Sequence, residues 1–199
     1  MAVRGRLKKR EKRIRGLEER NKEFFKEKKI LLDLQEVRFS KYDKAKKIKL
    51  PPEVSVELAE EIGVHLGDGC LSFSRRYFSV KTNKKEEQYM VNFLFPLYKK
   101  LYNIDLKLIR LSSVVGFEVH SQALFDIKNK VLGIPYGEKV ERIEVPKVIL
   151  ESKNKNIYRA FIRGLFDTDG CVSIIKSKKN YPTITFTIKS QKLIEQTKE

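Results

Sequence analysis

The sequence predicts an α+β fold: two pseudo-symmetric αββαββ-type repeats, the second incomplete, preceded by a basic and mainly helical arm. Three observations carry this expectation. A short block of residues recurs at a fixed offset along the chain. Each copy of the block is followed by short segments in which apolar and polar residues alternate, the pattern of half-buried strands. Positive charge is concentrated at the N-terminal end rather than spread evenly.

The 199 residues carry a formal net charge of +17. Residues 1–50 hold 19 Lys and Arg against 8 Asp and Glu, a surplus of 11, whereas the rest of the chain holds 24 against 18. A chain so charged finds its natural partners among polyanions, because neutralised phosphates release counterions. An apolar content of 41% is that of a globular protein rather than a disordered one. No stretch approaches the roughly 18 uninterrupted apolar residues of a membrane span, and the N-terminus has no apolar signal core. The expectation is a soluble, cytoplasmic protein. Cys70 and Cys171 are too few for a disulfide framework or a zinc site and are expected to be small buried hydrophobes.

Residues 4–36 read as a charged helix, with Leu7, Ile14, Leu17, Phe24 and Leu31 on a partial heptad seam; the whole of 1–54 is taken as the basic arm. Pro51-Pro52 punctuates the chain. Ser55 can cap a helix running to about Asp68, where Gly69 stops it. Strands are predicted at 70–74 and 77–82, a helix near 85–102, a second hairpin over 105–120, and a closing helix from Ser121 to Gly133. These elements make the first repeat, 55–133. Residues 134–155, with Pro135, Gly137 and Pro146, read as a linker, and 156–199 as the partial second repeat.

The internal repeat is the strongest signal. Asp68, Gly69, Cys70 and Ser72 recur 101 positions later as Asp169, Gly170, Cys171 and Ser173. Upstream, Ala59, Gly63 and Gly67 stand four apart, and Ala160, Gly164 and Thr168 repeat that spacing. Four-residue spacing sets the small residues on one face of each helix. A helical glycine costs roughly 1 kcal/mol relative to alanine, so two of them at matched positions imply close backbone approach. The two helices are expected to pack through Ala59, Gly63, Ala160 and Gly164, bringing Asp68 and Asp169 together at their C-terminal ends. Helix C-termini carry partial negative charge, and two carboxylates repel each other. A divalent cation removes the conflict, and metal-assisted phosphodiester hydrolysis becomes the natural chemistry.

At these residues the chain resembles the LAGLIDADG homing endonuclease family. Glu61–Gly69 (EIGVHLGDG) and Ile162–Gly170 (IRGLFDTDG) align on the family's motif, the second more closely. The resemblance covers roughly 55–199 and implies a site-specific, metal-dependent endonuclease acting on double-stranded DNA. It implies Asp68 and Asp169 as catalytic acids, Mg²⁺ as the metal, and the carbonyls of Gly67 and Thr168 as further ligands. Lys84 and Lys189 are the best matches to the family's basic residues near the reacting phosphate. The family reads DNA with strands in the major groove. By that resemblance Arg75, Arg76, Tyr77, Ser79 and Lys81, and in the second repeat Thr183, Thr185, Thr187 and Lys189, face the groove, while Ile184, Phe186 and Ile188 face the core. His65, inside the first motif helix, is expected to be packed rather than catalytic.

The second repeat lacks counterparts of the long helix, the second hairpin and the closing helix, so its sheet is expected to expose apolar surface. A fragment of a longer chain, a degenerate copy, or completion by a second chain all remain open. Two alternatives to the endonuclease stand beside it: a non-cleaving DNA-binding regulator of the same fold, and an RNA-splicing maturase, which the basic arm suits. With no Cys or Ser start and no terminal His-Asn, an intein is not expected.

Overall fold

A computed structural model describes residues 29–138, 141–175 and 181–198. Most of the predicted basic helix therefore lies outside the described residues. What is described of the arm is not helical over 29–36. Leu31 instead pairs antiparallel with Glu53, and Leu32 N–H and Val54 N–H donate to the carbonyls of Pro52 and Ile30 at 2.9 Å. Leu32 and Ile48 enter the core. A single turn of helix, α1 (Lys41–Ala45), follows a capping box formed by Ser40 and Asp43. The segment is held to the body by Asp126, whose carboxylate accepts the Arg38 N–H at 3.1 Å.

The first repeat opens with α2 (Val56–Gly67), N-capped by Ser55 as its side chain predicts. Strands β1 (Gly69–Ser72) and β2 (Tyr77–Asn83) form a hairpin, and β3 (Ile109–Arg110) and β4 (Val114–His120) complete a four-stranded antiparallel sheet in the order β1-β2-β4-β3. One face of the sheet buries Leu71, Phe78, Val80, Phe117 and Val119 against the helices. Between the hairpins a 3₁₀ turn, α3 (Glu87–Tyr89), a π-turn (Met90–Leu94) and α4 (Phe95–Tyr102) run end to end. The wide turn falls where Pro96 has no N–H to give to the preceding turn. Asn103, with φ of 56°, ends the run in left-handed geometry. The closing helix is α5 (Gln122–Asp126), continued by a second π-turn (Ile127–Val131).

The expected linker is not a bare connection. It contains α6 (Lys147–Ser152), and Ile143, Val145 and Ile149 are buried. Ser190 Oγ donates to the Ile143 carbonyl at 2.6 Å, stitching this stretch to the second repeat. That repeat consists of α7 (Lys155–Asp169), the hairpin of β5 (Gly170–Ile175) and β6 (Tyr181–Phe186), and α8 (Gln191–Lys198). Ile184, expected to face the core, is 68% exposed, and Val172, paired with it across the hairpin, is 74% exposed, so the hairpin shows the bare apolar surface expected of the incomplete repeat. Phe186, at the base, does find a partner, stacking on Phe166 at 5.1 Å. Mixed helices and antiparallel strands make the fold α+β. Among the described residues no helix is long and apolar enough to cross a membrane.

The first repeat is pinned by a buried ionic cluster that no sequence periodicity announces. Glu61, on the inner face of α2, accepts hydrogen bonds from Tyr98 OH at 2.5 Å, Tyr102 OH at 2.9 Å and Lys128 Nζ at 2.5 Å. All four side chains are buried. The Lys128 ammonium also lies 4.9 Å from the Phe78 ring centroid, over its face. Burial pulls the Lys128 pKa below its ordinary value, opposed by the Glu61 carboxylate, and pushes both tyrosines up. Removing one member strands the other as an unpaired buried charge. Lys128→Met is therefore expected to destabilise the protein by about 3–5 kcal/mol in urea unfolding. Adding Glu61→Leu should recover most of that loss. A single variant as stable as the parent would show that the pair contributes nothing.

Candidate active site

Helices α2 and α7 touch backbone to backbone. A methyl group at Gly63 would collide with the Phe161 carbonyl oxygen and stand 2.8 Å from Leu165 N. Reciprocally, one at Gly164 would collide with the Glu60 carbonyl and stand 3.0 Å from Val64 N. Ala59 and Ala160 are buried in the same stripe. Each helix thus presents its small residues to the other.

The consequence appears at the helix ends. A methyl group at Gly67 would collide with Thr168 Oγ1 and lie 2.9 Å from the Asp169 Oδ2. The Asp169 carboxylate therefore sits against the end of α2, one residue from Asp68. Asp68 caps that helix, its N–H donating to the Val64 carbonyl at 3.1 Å, and its own carbonyl receives the Lys81 N–H at 3.4 Å. The Thr168 hydroxyl folds back along α7 onto the Leu165 carbonyl at 2.9 Å. Asp68 and Asp169 are both half-buried. Two carboxylates beside two carbonyl-rich helix ends form a set of hard oxygen donors, which suits a divalent cation. Among the described residues no group of three or more His, Cys, Asp and Glu could hold a metal. A cation here would draw its remaining ligands from carbonyls, water or a phosphate.

A second charged group flanks the helix pair. Arg163 on α7 grips Glu60 on α2 with two hydrogen bonds, at 2.5 and 2.6 Å. Beside it, Tyr89 OH donates to Asp167 Oδ2 at 3.3 Å. Burial holds the Asp167 carboxyl above its usual range, helped by the nearby Glu60. Sequence reading missed Glu60 and Arg163, which stand 103 residues apart. The signal available was a carboxylate on the motif helix next to its small-residue stripe.

The outer face of the first sheet carries three of the five first-repeat residues expected to face DNA. Tyr77 pairs with His120, Ser79 with Glu118 and Lys81 with Gly116 along one ladder. Lys81 Nζ is bound to Glu118 at 2.8 Å, which raises its pKa. Ser79, on the central strand between Cys70 and Glu118, is only 4% exposed, so its longer neighbours present this face. Cys70 and Cys171 are exposed, against the expectation of burial. They share strand parity with Ser72 and Ser173, facing outward. Arg75 is exposed at the β1–β2 turn, while the guanidinium of Arg76 lies over the Phe73 ring. Lys84 starts the 3₁₀ turn after β2, its N–H on the Ser113 carbonyl at 3.2 Å. In the second repeat Thr183 and Thr185 pair with Ser173 and Cys171, while Thr187 and Lys189 lie beyond the end of β6. Lys189 borders a cleft with Glu138, Glu141 and Arg142. His65 is fully buried on α2, edge-on to Phe78 at 6.0 Å, as expected of a packed imidazole.

Residues 156–199 match the family model described as a LAGLIDADG-like domain. The matched stretch begins with α7 and includes the second acid, Asp169; the first half lies outside it and is tied to it by the offset of 101 and the paired helices. A segment of an A-type ATP synthase protein of Pyrococcus abyssi (strain GE5 / Orsay) is 31% identical over 127 residues, covering 64% of this chain and 12% of that relative. The chain thus spans a small part of the curated relative it matches. A solved structure of a variant of I-DmoI in complex with its target DNA is also similar, with 21% identity and a TM-score of 0.40, over 58% of this chain and 62% of that one.

The helix contact makes a sharp prediction. Gly63→Ala and Gly164→Ala each force a methyl group into a backbone carbonyl, a strain of about 1–3 kcal/mol or more. Each is expected to lower the urea midpoint clearly. Midpoints matching the parent would mean the two helices are not in contact.

Proposed function

We propose that the chain is a metal-dependent endonuclease of the LAGLIDADG homing type, hydrolysing phosphodiester bonds in double-stranded DNA, or the corresponding piece of one. The observation that supports it is the Asp169 carboxylate set against the end of α2, which Asp68 caps, where the two helices pack glycine to glycine. A structural helix end has no use for paired acids, since the helix dipole and the partner carboxylate both oppose their charge. A reaction centre does.

In this reading the carboxylates of Asp68 and Asp169, with the carbonyls of Gly67 and Thr168, would hold Mg²⁺ or another divalent cation. Bound there, the cation supplies Lewis-acid polarisation of the phosphate and a more acidic water. The chain's own residues do the rest. The Gly63/Gly164 contact fixes the separation of the two acids. The outer face of the β1-β2-β4-β3 sheet offers Tyr77 and Lys81 to the duplex, with Arg75 at the adjoining turn. Lys81 must exchange Glu118 for a phosphate, which costs little at an exposed pair. Lys84 and Lys189 would stabilise charge at the phosphate from either side. The surplus of cations supplies affinity that does not depend on sequence.

Two experiments test this. In the first, a randomised duplex library is exposed to the protein with Mg²⁺, and cut ends are sequenced; the sites recovered are then assayed singly. Cleavage is expected to require the cation and to fall at least about a thousandfold in Asp68→Asn and Asp169→Asn, with duplex binding in Ca²⁺ retained. Cutting that survives in both variants would place the reaction elsewhere, and duplex binding without any cutting by the parent would favour the regulator. The second compares the full chain with one lacking residues 1–28. The truncated protein should bind all duplexes more weakly, with a shallower dependence of log K on log salt. An unchanged slope would mean that the basic segment makes no phosphate contacts.

A further inference from the structure

The β1–β2 turn and the loop after the second π-turn each carry an exposed aromatic ring that groove reading on the outer sheet face does not use. Phe73 is 50% exposed and Tyr136 44%, with ring centroids 5.1 Å apart and planes at 34°. The Arg76 guanidinium lies over the Phe73 ring, 3.7 Å from its centroid. Beneath them is Phe125 of α5, fully buried, which meets Phe73 edge-on at 5.9 Å and lies 4.8 Å from the same guanidinium. Two accessible rings and a cation thus stand on a buried third ring.

The group is held in place by backbone hydrogen bonds. Gly137 N–H donates to the Leu71 carbonyl at 2.8 Å, tying the loop that carries Tyr136 to β1. Ser121 N–H donates to the Arg76 carbonyl at 3.0 Å, tying the turn to the start of α5. Arg76 itself has φ of 47°, a left-handed conformation that side chains other than glycine, asparagine and aspartate rarely adopt. Glycine would sit there without strain; arginine puts a guanidinium over an aromatic face. Phe73 continues the parity of Leu71, so it belongs to the helix side of the sheet, away from Ser72 and Tyr77 on the outer face.

Rings exposed on a chain of net charge +17 call for a partner that offers a flat π-face joined to negative charge. Stacked bases inside a duplex hide their faces; an unpaired base shows both. We propose that Phe73, Tyr136 and Arg76 form a stacking site for an unpaired nucleobase of a single strand, with the exposed Arg75 taking the adjoining phosphate. Base–aromatic stacking is tolerant of sequence, and the guanidinium adds a cation–π contribution. The site is independent of the acid pair and of any cleavage.

The test is fluorescence anisotropy of the full chain with a labelled oligothymidylate, an abasic oligonucleotide of equal length, and a duplex. The parent should bind oligothymidylate about tenfold or more tightly than the abasic strand, the effect of one or two stacked bases. The double variant Phe73→Leu with Tyr136→Leu should lose that preference while keeping its affinity for the abasic strand and the duplex. Equal affinity of the parent for the two single strands would overturn the proposal without recourse to any variant. So would a double variant weakened equally on all three ligands.

Discussion

Everything about the candidate centre depends on the contact between two backbones at Gly63 and Gly164. Side chains on facing helices hold axes roughly 8–10 Å apart; only residues without a Cβ allow carbonyls and amides of the two helices to meet directly. That approach sets where the last turns end, and so how near Asp169 comes to Gly67 and Asp68. Packing along the rest of both helices supports that approach, with Leu58, Ile62, Phe161 and Leu165 all buried.

The two repeats do not share the burden of stability equally. The first has a four-stranded sheet with helices along one face and the Glu61–Lys128 cluster in its centre. The second has a hairpin whose apolar residues are largely uncovered. Leu71 and Val172 occupy equivalent positions, yet the first is fully buried and the second open. What holds the second repeat is α7 against α2, with α6, α8 and the segment around Ile143 closing over its other side.

Much of this was legible in the residues. The recurring Asp-Gly-Cys-x-Ser and the four-residue spacing of Ala and Gly required two helices in contact, because a solvent-facing helix has no need of glycine. Strand parity was legible too, from Phe78 and Val80 in β2; in β6 Phe186 follows it, whereas Ile184 is left 68% exposed. Parity was also where the reading of Cys70 and Cys171 failed: residue type suggested burial, but their place in the alternation points them outward. The charge-rich stretch over 29–36 looked helical by composition, yet its edge hydrogen-bonds with Pro52 and Val54 to form extended structure, a choice made by tertiary partners. Helix α6 was hidden by the prolines and charges around it. Pairings such as Glu61 with Lys128, or Glu60 with Arg163, join residues far apart in sequence and have no local signature.

The Glu60–Arg163 pair also says something about kinship between the halves. These residues are not equivalent: at the offset of 101, Glu60 corresponds to Phe161 and Arg163 to Ile62. Suppose a second copy of α2 lay where α7 does. The buried Glu60 carboxylate would then meet isoleucine instead of guanidinium, a charge stranded in an apolar seam. Two first repeats would mispair at the surface where the first and second repeats match. The glycine stripe is common to both helices and would accept either combination; the ion pair would not. Self-association of like halves is thereby disfavoured, and each repeat fits the other better than it fits itself.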